Sequence, residues 1–310
     1  MEGEGRSSLK HAELDPGPWG VHRNLREVVP SLWRAEWWWW WNRRRAHPKS
    51  LSMKLPGFGE YVTKDPEEFS FLMFALHSSR RLFDTLPSEG DIRRLLDIRR
   101  DIVERLKSGF SSQEIDQCST GGWPGIKEAL LYVLIRNAPV DLVVETGVAQ
   151  GVSSYFILSA LEANNRGKLV SIDLPNRDPK GYSYPTGGVR DRVYTKLGSD
   201  PGWLVPAALK GRWDLQLGPA QEILPKLQVK PDLFLHDSLH TYEHITLELN
   251  WAWERSGPGS LIACDDMDWN NAFTDFATRH QEEVTVICRR KIGLIARKGT
   301  PRTEIRTVPT

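Results

Sequence analysis

Between residues 66 and about 117, apolar positions recur at helical spacing. Phe69, Met73 and Leu76 lie four and three apart, and Ile92, Leu95, Leu96, Ile102 and Leu106 form a stripe among arginines. Pro66 stands where a first helical turn tolerates it. The pattern predicts helices separated by a turn over Pro87 to Gly90, with the arginines on a solvated face rather than in a binding patch. Ser119 to Pro124 breaks the pattern, and a further helix is predicted over Ile126 to Asn137.

Beyond Pro139 the rhythm changes to short apolar runs alternating with helices. Strands are predicted at Asp141–Gly147, Leu169–Leu174, Trp213–Leu217, Pro231–Asp237 and Ser260–Asp265. Helices are predicted at Ser153–Ala163, Trp203–Leu209, Ala220–Leu227, Thr241–Arg255 and Ala272–His280. Val284–Cys288 and Gly293–Ala296 close as a hairpin. Alternating strands and helices predict an α/β fold, a doubly wound and mostly parallel sheet covered on both faces. The terminal hairpin adds one antiparallel strand. Residues 175–200, rich in Pro, Gly and Tyr, read as a long irregular insertion, and no internal repeat is present.

Composition narrows the classes. Lys plus Arg number 41 against 40 for Asp plus Glu, which argues against a partner held by bulk charge, such as nucleic acid or an anionic membrane. No apolar run is long enough to span a membrane. Cys118, Cys264 and Cys288 form neither a disulfide framework nor a metal knuckle, so a reducing, cytoplasmic setting is expected. Of 13 tryptophans, seven precede residue 52, five of them consecutive at Trp37 to Trp41. Two readings stand for this run, contact with a lipid interface or an unstructured extension with translation starting at Met53. Residues 1–52 are therefore left outside the expected fold. The remainder divides into a helical region (53–124), the α/β domain (125–300) and a tail (301–310).

The first candidate site is VVETGVAQGVSS, residues 143–154, where a buried strand runs into Gly147 and Gly151 before a helix begins at Ser153. Glycines there let a ligand approach the backbone, and the helix start presents unpaired N–H groups. Asp173 closes the following strand, 22 residues after Gly151, where an acidic side chain bonds ribose hydroxyls. A dinucleotide site normally carries three glycines beside a pyrophosphate. Here the turn offers Glu145, Gly147, Ala149 and Gly151. A carboxylate ahead of the first glycine repels pyrophosphate but suits the cationic end of S-adenosylmethionine, directly or through water. That favours the methyl donor over NAD.

The second constellation is FLHDSLHTYEH (234–244) with LIACDDMDW (261–269). Both end strands at the edge of the sheet where ligands sit. Asp237, Asp265 and Asp266, with no sulfur ligand, suit a hard divalent cation, magnesium above others. The competing reading is helix capping and loop hydrogen bonding. His240 is a candidate general base, and His236 a structural neighbour. Tyr242 and Trp269 are candidate pocket walls.

With these residues in order, the chain from about 125 to 298 resembles the class I S-adenosylmethionine-dependent methyltransferases. Within them it resembles the metal-dependent sugar O-methyltransferases of the macrocin and mycinamicin type and the cephalosporin-hydroxylase-like group. The resemblance implies a seven-stranded Rossmann-like sheet, cofactor contacts from Glu145, Gly147 and Asp173, metal on Asp237, Asp265 and Asp266, and His240 as base. Two departures stand out. Ala149 replaces a glycine frequent in the class, and GPAQ (218–221) lacks the acidic residue that often reads the adenine, leaving Gln221 as a substitute.

The expected activity is methyl transfer to a hydroxyl of a small molecule, a sugar or another diol. The rivals are a metal-independent N- or O-methyltransferase, a nicotinamide-dependent oxidoreductase and a non-catalytic binding protein. The insertion, with Tyr182, Tyr184 and Arg190, and the helices of 66–117 are where substrate selection or a dimer contact is expected.

Overall fold

The computed structural model describes residues 51–55, 59–110, 123–175, 199–282, 284–287 and 292–298. The pentatryptophan run, Cys118, Cys288, the interior of the 175–200 insertion with Tyr182, Tyr184 and Arg190, and the 301–310 tail lie outside them.

Seven strands make one sheet: β3 (Leu142–Thr146), β4 (Lys168–Asp173), β5 (Trp213–Leu217), β6 (Leu233–His236), β7 (Leu261–Cys264), β8 (Thr285–Ile287) and β9 (Ile292–Ala296). Their spatial order is β5-β4-β3-β6-β7-β9-β8. β5, β4, β3, β6 and β7 pair in parallel, and β9 runs antiparallel to both of its neighbours. The expected seven-stranded, mostly parallel sheet is therefore present, with β9 as the single reversed strand. The order reverses at β3, because the chain moves outward to β4 and β5 and then returns to the other side with β6. That is the topological switch point, where the carboxyl ends of adjacent strands open a crevice.

Strand alternation builds two cores. Val143 faces α3 (Ile126–Asn137) and α4 (Val152–Ala163), while Val144 faces α6 (Tyr242–Arg255) and α7 (Ala272–Arg279). α3 is buried without a break from Glu128 to Ile135. Each large apolar side chain covered in this way contributes about 1.5–3 kcal/mol. Outside α3 lie α1 (Pro66–Phe83) and α2 (Glu89–Gly109). Asp65 caps α1 ahead of Pro66, and Ser88 and Asp91 cap α2 reciprocally. Helix α2 thus starts inside the expected turn. One of its arginines departs from the solvated face: Arg99 is buried and bonds Asp65 at 2.8 Å.

Three expectations need correction. Residues 51 and 52 belong to the fold, because β1 (Leu51–Leu55) pairs antiparallel with β2 (Gly59–Thr63). Leu55 and Tyr61 of this hairpin pack on Leu72, Ile92 and Leu96. The segment expected as a helix over Trp203–Leu209 is instead a turn followed by a 3-10 helix at Ala207–Arg212. The helix expected after β5 is a single α turn, α5 (Ala220–Ile223), continued by a 3-10 turn. Among the described residues no helix is long and apolar enough to cross a membrane.

Candidate active site

The carboxyl ends of β3, β4, β6 and β7 are tied together by backbone hydrogen bonds. Gly147 N–H donates to Ile172, Asp237 N–H to Thr146, and Asp265 N–H to His236. These bonds bring the glycine turn and both acidic segments to one edge.

The glycine turn is held mainly by the protein itself. Gly147 has φ +84°, and a Cβ there would lie 2.0 Å from the Asp237 carbonyl oxygen. Gly151 has φ +90°, and its Cβ would lie 2.6 Å from Gly202 Cα. The glycines thus allow chain to approach chain, where approach of a ligand was expected. Ala149 takes the left-handed region, φ 48°, at the position where the class often has glycine. Gly202 and Leu204 donate to the carbonyls of Ala149 and Gln150, and Arg105 of α2 holds the carbonyls of Leu204 and Trp203 at 2.6 and 3.2 Å. The turn is therefore latched from α2 through residues 202–204.

Glu145 and Ser153 face each other. Glu145 is wholly covered, and its carboxylate accepts from Ser153, Ser154 and Ser171 at 2.5, 2.6 and 2.8 Å. Burial pushes its pKa up against those hydroxyls. The contact expected with the cationic end of the methyl donor, direct or through water, would need this carboxylate uncovered; here it is wholly buried and turned to three hydroxyls. Glu145 instead anchors the first turn of α4 to the sheet.

Asp173 stands at the end of β4, partly exposed. Its Oδ2 accepts from Val148 and Ala149 N–H at 2.9 and 2.7 Å, and its Oδ1 accepts from Leu174 N–H at 2.7 Å. Burial raises its pKa against these three donors. Oδ1 retains a lone pair. The first turn of α4 carries no side-chain cap, and Gln221 is exposed on α5. A carboxylate, a helix start and an amide in this sequence around the switch point fit a nucleoside.

On the other side of β3, Asp237 and Asp265 converge, but on a lysine. Lys127 Nζ donates to Asp237 Oδ2 at 2.5 Å and to Asp265 Oδ2 at 2.8 Å, and lies 3.7 Å from Glu128. Burial opposes the ammonium charge, yet Asp237, Asp265 and Glu128 outweigh it and hold the Lys127 pKa well above the usual lysine value. The carboxyl pair titrates together. Burial and the charge of Asp265 push Asp237 up, while Lys127 overcomes the burial of Asp265 and holds it down. Asp266 follows in a left-handed conformation, φ 46°, which turns the chain out of the sheet. Among the described residues, no group of three or more His, Cys, Asp or Glu side chains gathers with metal-ligand geometry. The expected magnesium on Asp237, Asp265 and Asp266 does not fit this arrangement: an ammonium already bridges two of the three carboxylates, and the third does not complete the set.

His240 lies in the loop between β6 and α6. Its ring packs between His236 and Trp269, with centroids at 5.2 and 5.1 Å, and Asn270 holds its carbonyl at 3.0 Å. Its Nε2 is buried without a hydrogen-bond partner among the described residues. Burial first, then the neighbouring His236, lowers its pKa to about 3, so the ring is neutral near pH 7. Trp269, itself exposed, packs on the His240 ring, whereas Tyr242 is exposed with its hydroxyl bonded to Asp275 of α7 at 3.1 Å.

Beneath this loop sits Glu248 of α6, wholly buried. It accepts from Thr146 at 2.6 Å and Ser238 at 2.8 Å, and pairs with His236 at 2.5 Å and His244 at 2.8 Å. Burial opposes its ionisation, but His236 and the hydrogen bonds from both histidines outweigh it and hold the carboxyl well below the usual range. His236 is therefore the structural neighbour expected, but its anchor Glu248 was not foreseen. Neither was Lys127. A lysine in the first turn of a helix opposes the helix dipole, and here it precedes the unbroken apolar run of α3. Those two features are its signal in the sequence.

The strand order, the glycine turn and Asp173 define an α/β Rossmann-like methyltransferase fold. Residues 144–267 match the family described as methyltransferase domain, and this segment is an S-adenosylmethionine-dependent methyltransferase domain. Among solved structures, the O-methyltransferase NovP is similar at 15% identity and a TM-score of 0.50, over 67% of this chain and 100% of that one. The SAH-bound methyltransferase PaMTH1 of Podospora anserina is similar at 13% identity and 0.45, over 69% and 99%. The calicheamicin methyltransferase CalS11 is similar at 18% identity and 0.40, over 80% and 98%. Identities this low speak to the fold alone. A search of curated proteins found no match.

Proposed function

We propose that the chain moves a methyl group from S-adenosylmethionine to a hydroxyl of a small molecule, a sugar or another diol, with His240 taking the proton. The observation that supports this is the His240 Nε2: neutral, buried and without a hydrogen-bond partner among the described residues, in the loop that follows β6 at the carboxyl edge of the sheet. The O-methyltransferase named above, with the same fold, supports oxygen as the acceptor atom.

When bound, the cofactor supplies an electrophilic methyl on a sulfonium. The chain's part is placement and proton transfer. Asp173 accepts from ribose hydroxyls through its remaining lone pair, and Gln221 meets the adenine edge. Gly147 and Ala149 hold the turn open, and Gly151 seats residues 202–204 beneath it. Trp269 and His236 fix the His240 ring and exclude water from its inner face. A base this weak does not strip the hydroxyl beforehand; it accepts the proton as the oxygen attacks, in the same transition state. No step passes through a divalent ion.

The test is transfer from methyl-labelled cofactor to a panel of sugars and diols. We expect alkali-stable label on an ether oxygen, and a fall in kcat/KM of about 10²–10⁴-fold in His240→Ala. Label on nitrogen, or a rate indifferent to His240, contradicts the reading.

A further inference from the structure

Lys127 lies at the second position of α3, where the helix dipole disfavours a cation. Its helix start is nevertheless held tightly, because the Glu128 carboxylate accepts from Gly125 N–H at 2.7 Å. From there the side chain reaches two carboxylates that are 110 and 138 positions away in sequence. The side chains of Lys127, Asp237 and Asp265 are only 15%, 21% and 18% exposed. Two carboxylates held this close and this covered repel each other unless one of them is protonated or a cation stands between them. The ammonium stands there, and it is covalently attached.

A divalent ion on the same two Oδ2 atoms meets a like charge. Magnesium binds oxygen at about 2.0–2.1 Å, and Lys127 Nζ is 2.5 and 2.8 Å from those oxygens. The ion and the ammonium would therefore lie within about 5 Å of each other.

We propose that Lys127 is the built-in cation of this centre: its ammonium takes the place between Asp237 and Asp265 that a divalent ion would hold, so the centre neither binds nor requires one. The inference rests on the reading above only for the location of the active site. It makes Lys127 a positioning residue that fixes the two acidic loops beside His240.

The experiment is a titration of the full chain with Mn²⁺ alone, followed by the paramagnetic signal of the free ion. Wild type and Lys127→Arg are expected to leave Mn²⁺ free. Lys127→Met, which removes the charge and keeps the stem, is expected to bind it at least tenfold more tightly than wild type. Equal binding by wild type and Lys127→Met, whether tight or absent, overturns the proposal. If Lys127→Met does not fold, adding Asp265→Asn to it should restore a cooperative thermal transition by removing the repulsion; failure to restore one also overturns the proposal. Because the readout is ion binding, it is separate from methyl transfer. A chain that transfers no methyl group but behaves this way sinks the proposed function and leaves the role of Lys127 standing.

Discussion

His240 shows how little of a residue's chemistry is set by its type. Its folded pKa of about 3 lies below the ordinary 6.5, so at acid pH the unfolded chain binds the proton that the folded chain refuses. The stability linked to His240 is full above pH 6.5 and is lost as pH falls from there toward 3. His240→Asn removes this linkage. The stability of that variant relative to wild type should therefore rise between pH 7 and 4.5 in urea titrations, and a constant difference across that range contradicts the burial of the ring. By the same shift, the acid limb of kcat/KM should lie well below pH 6 rather than near 6.5. Gly147 makes the complementary point. A methyl group there collides with the Asp237 carbonyl, so Gly147→Ala should damage both halves of the site. We expect a lowered melting temperature together with weakened S-adenosylmethionine binding in calorimetry. Unchanged binding in a folded variant would show that the turn is not under this constraint.

Among elements, the central strands β3, β4, β6 and β7 were readable because each is a short apolar run buried on both faces. The β1–β2 hairpin was not readable. Its apolar side chains are few and rely on Leu72, Ile92 and Leu96 of the neighbouring helices for cover. Of the candidate site, the glycine turn, Asp173 and Asp237 could be proposed from the sequence because each lies at or just past a strand end, and His240 because it follows in the loop after β6. Glu248 was not, since a glutamate on an amphipathic helix reads as solvated. Its partners come from β3, β6 and the loop after it, and only the folded sheet assembles them. Removing its charge leaves buried donors unmatched, so Glu248→Gln should cost about 3–5 kcal/mol in urea unfolding. A loss under about 1 kcal/mol would mean the network carries little. The latch from α2 to the glycine turn is smaller. Arg105→Ala, losing charged hydrogen bonds to two carbonyls, should cost about 1.5–3 kcal/mol and weaken cofactor binding while the stability of α6 and α7 is kept. Hydrogen exchange should show the loosening confined to residues 149–151 and 202–205.

For the whole molecule, the reversal of strand order at β3 places two regions side by side, the proposed nucleoside crevice toward β4 and β5 and an acid–lysine–histidine centre toward β6 and β7. The first was proposed from spacing. The second was predictable in its residues but not in its cation, because Lys127 reaches it from a helix that precedes the sheet. The proposed function depends on one claim, that the crevice beside β3, toward β4 and β5, holds the nucleoside of a methyl donor. Calorimetric titration of the full chain with S-adenosylmethionine and, separately, with NAD tests that claim most directly. The account predicts saturable binding of S-adenosylmethionine, weakened at least tenfold in Asp173→Ala, and no binding of NAD. Binding of NAD, or binding of S-adenosylmethionine that ignores Asp173, contradicts it.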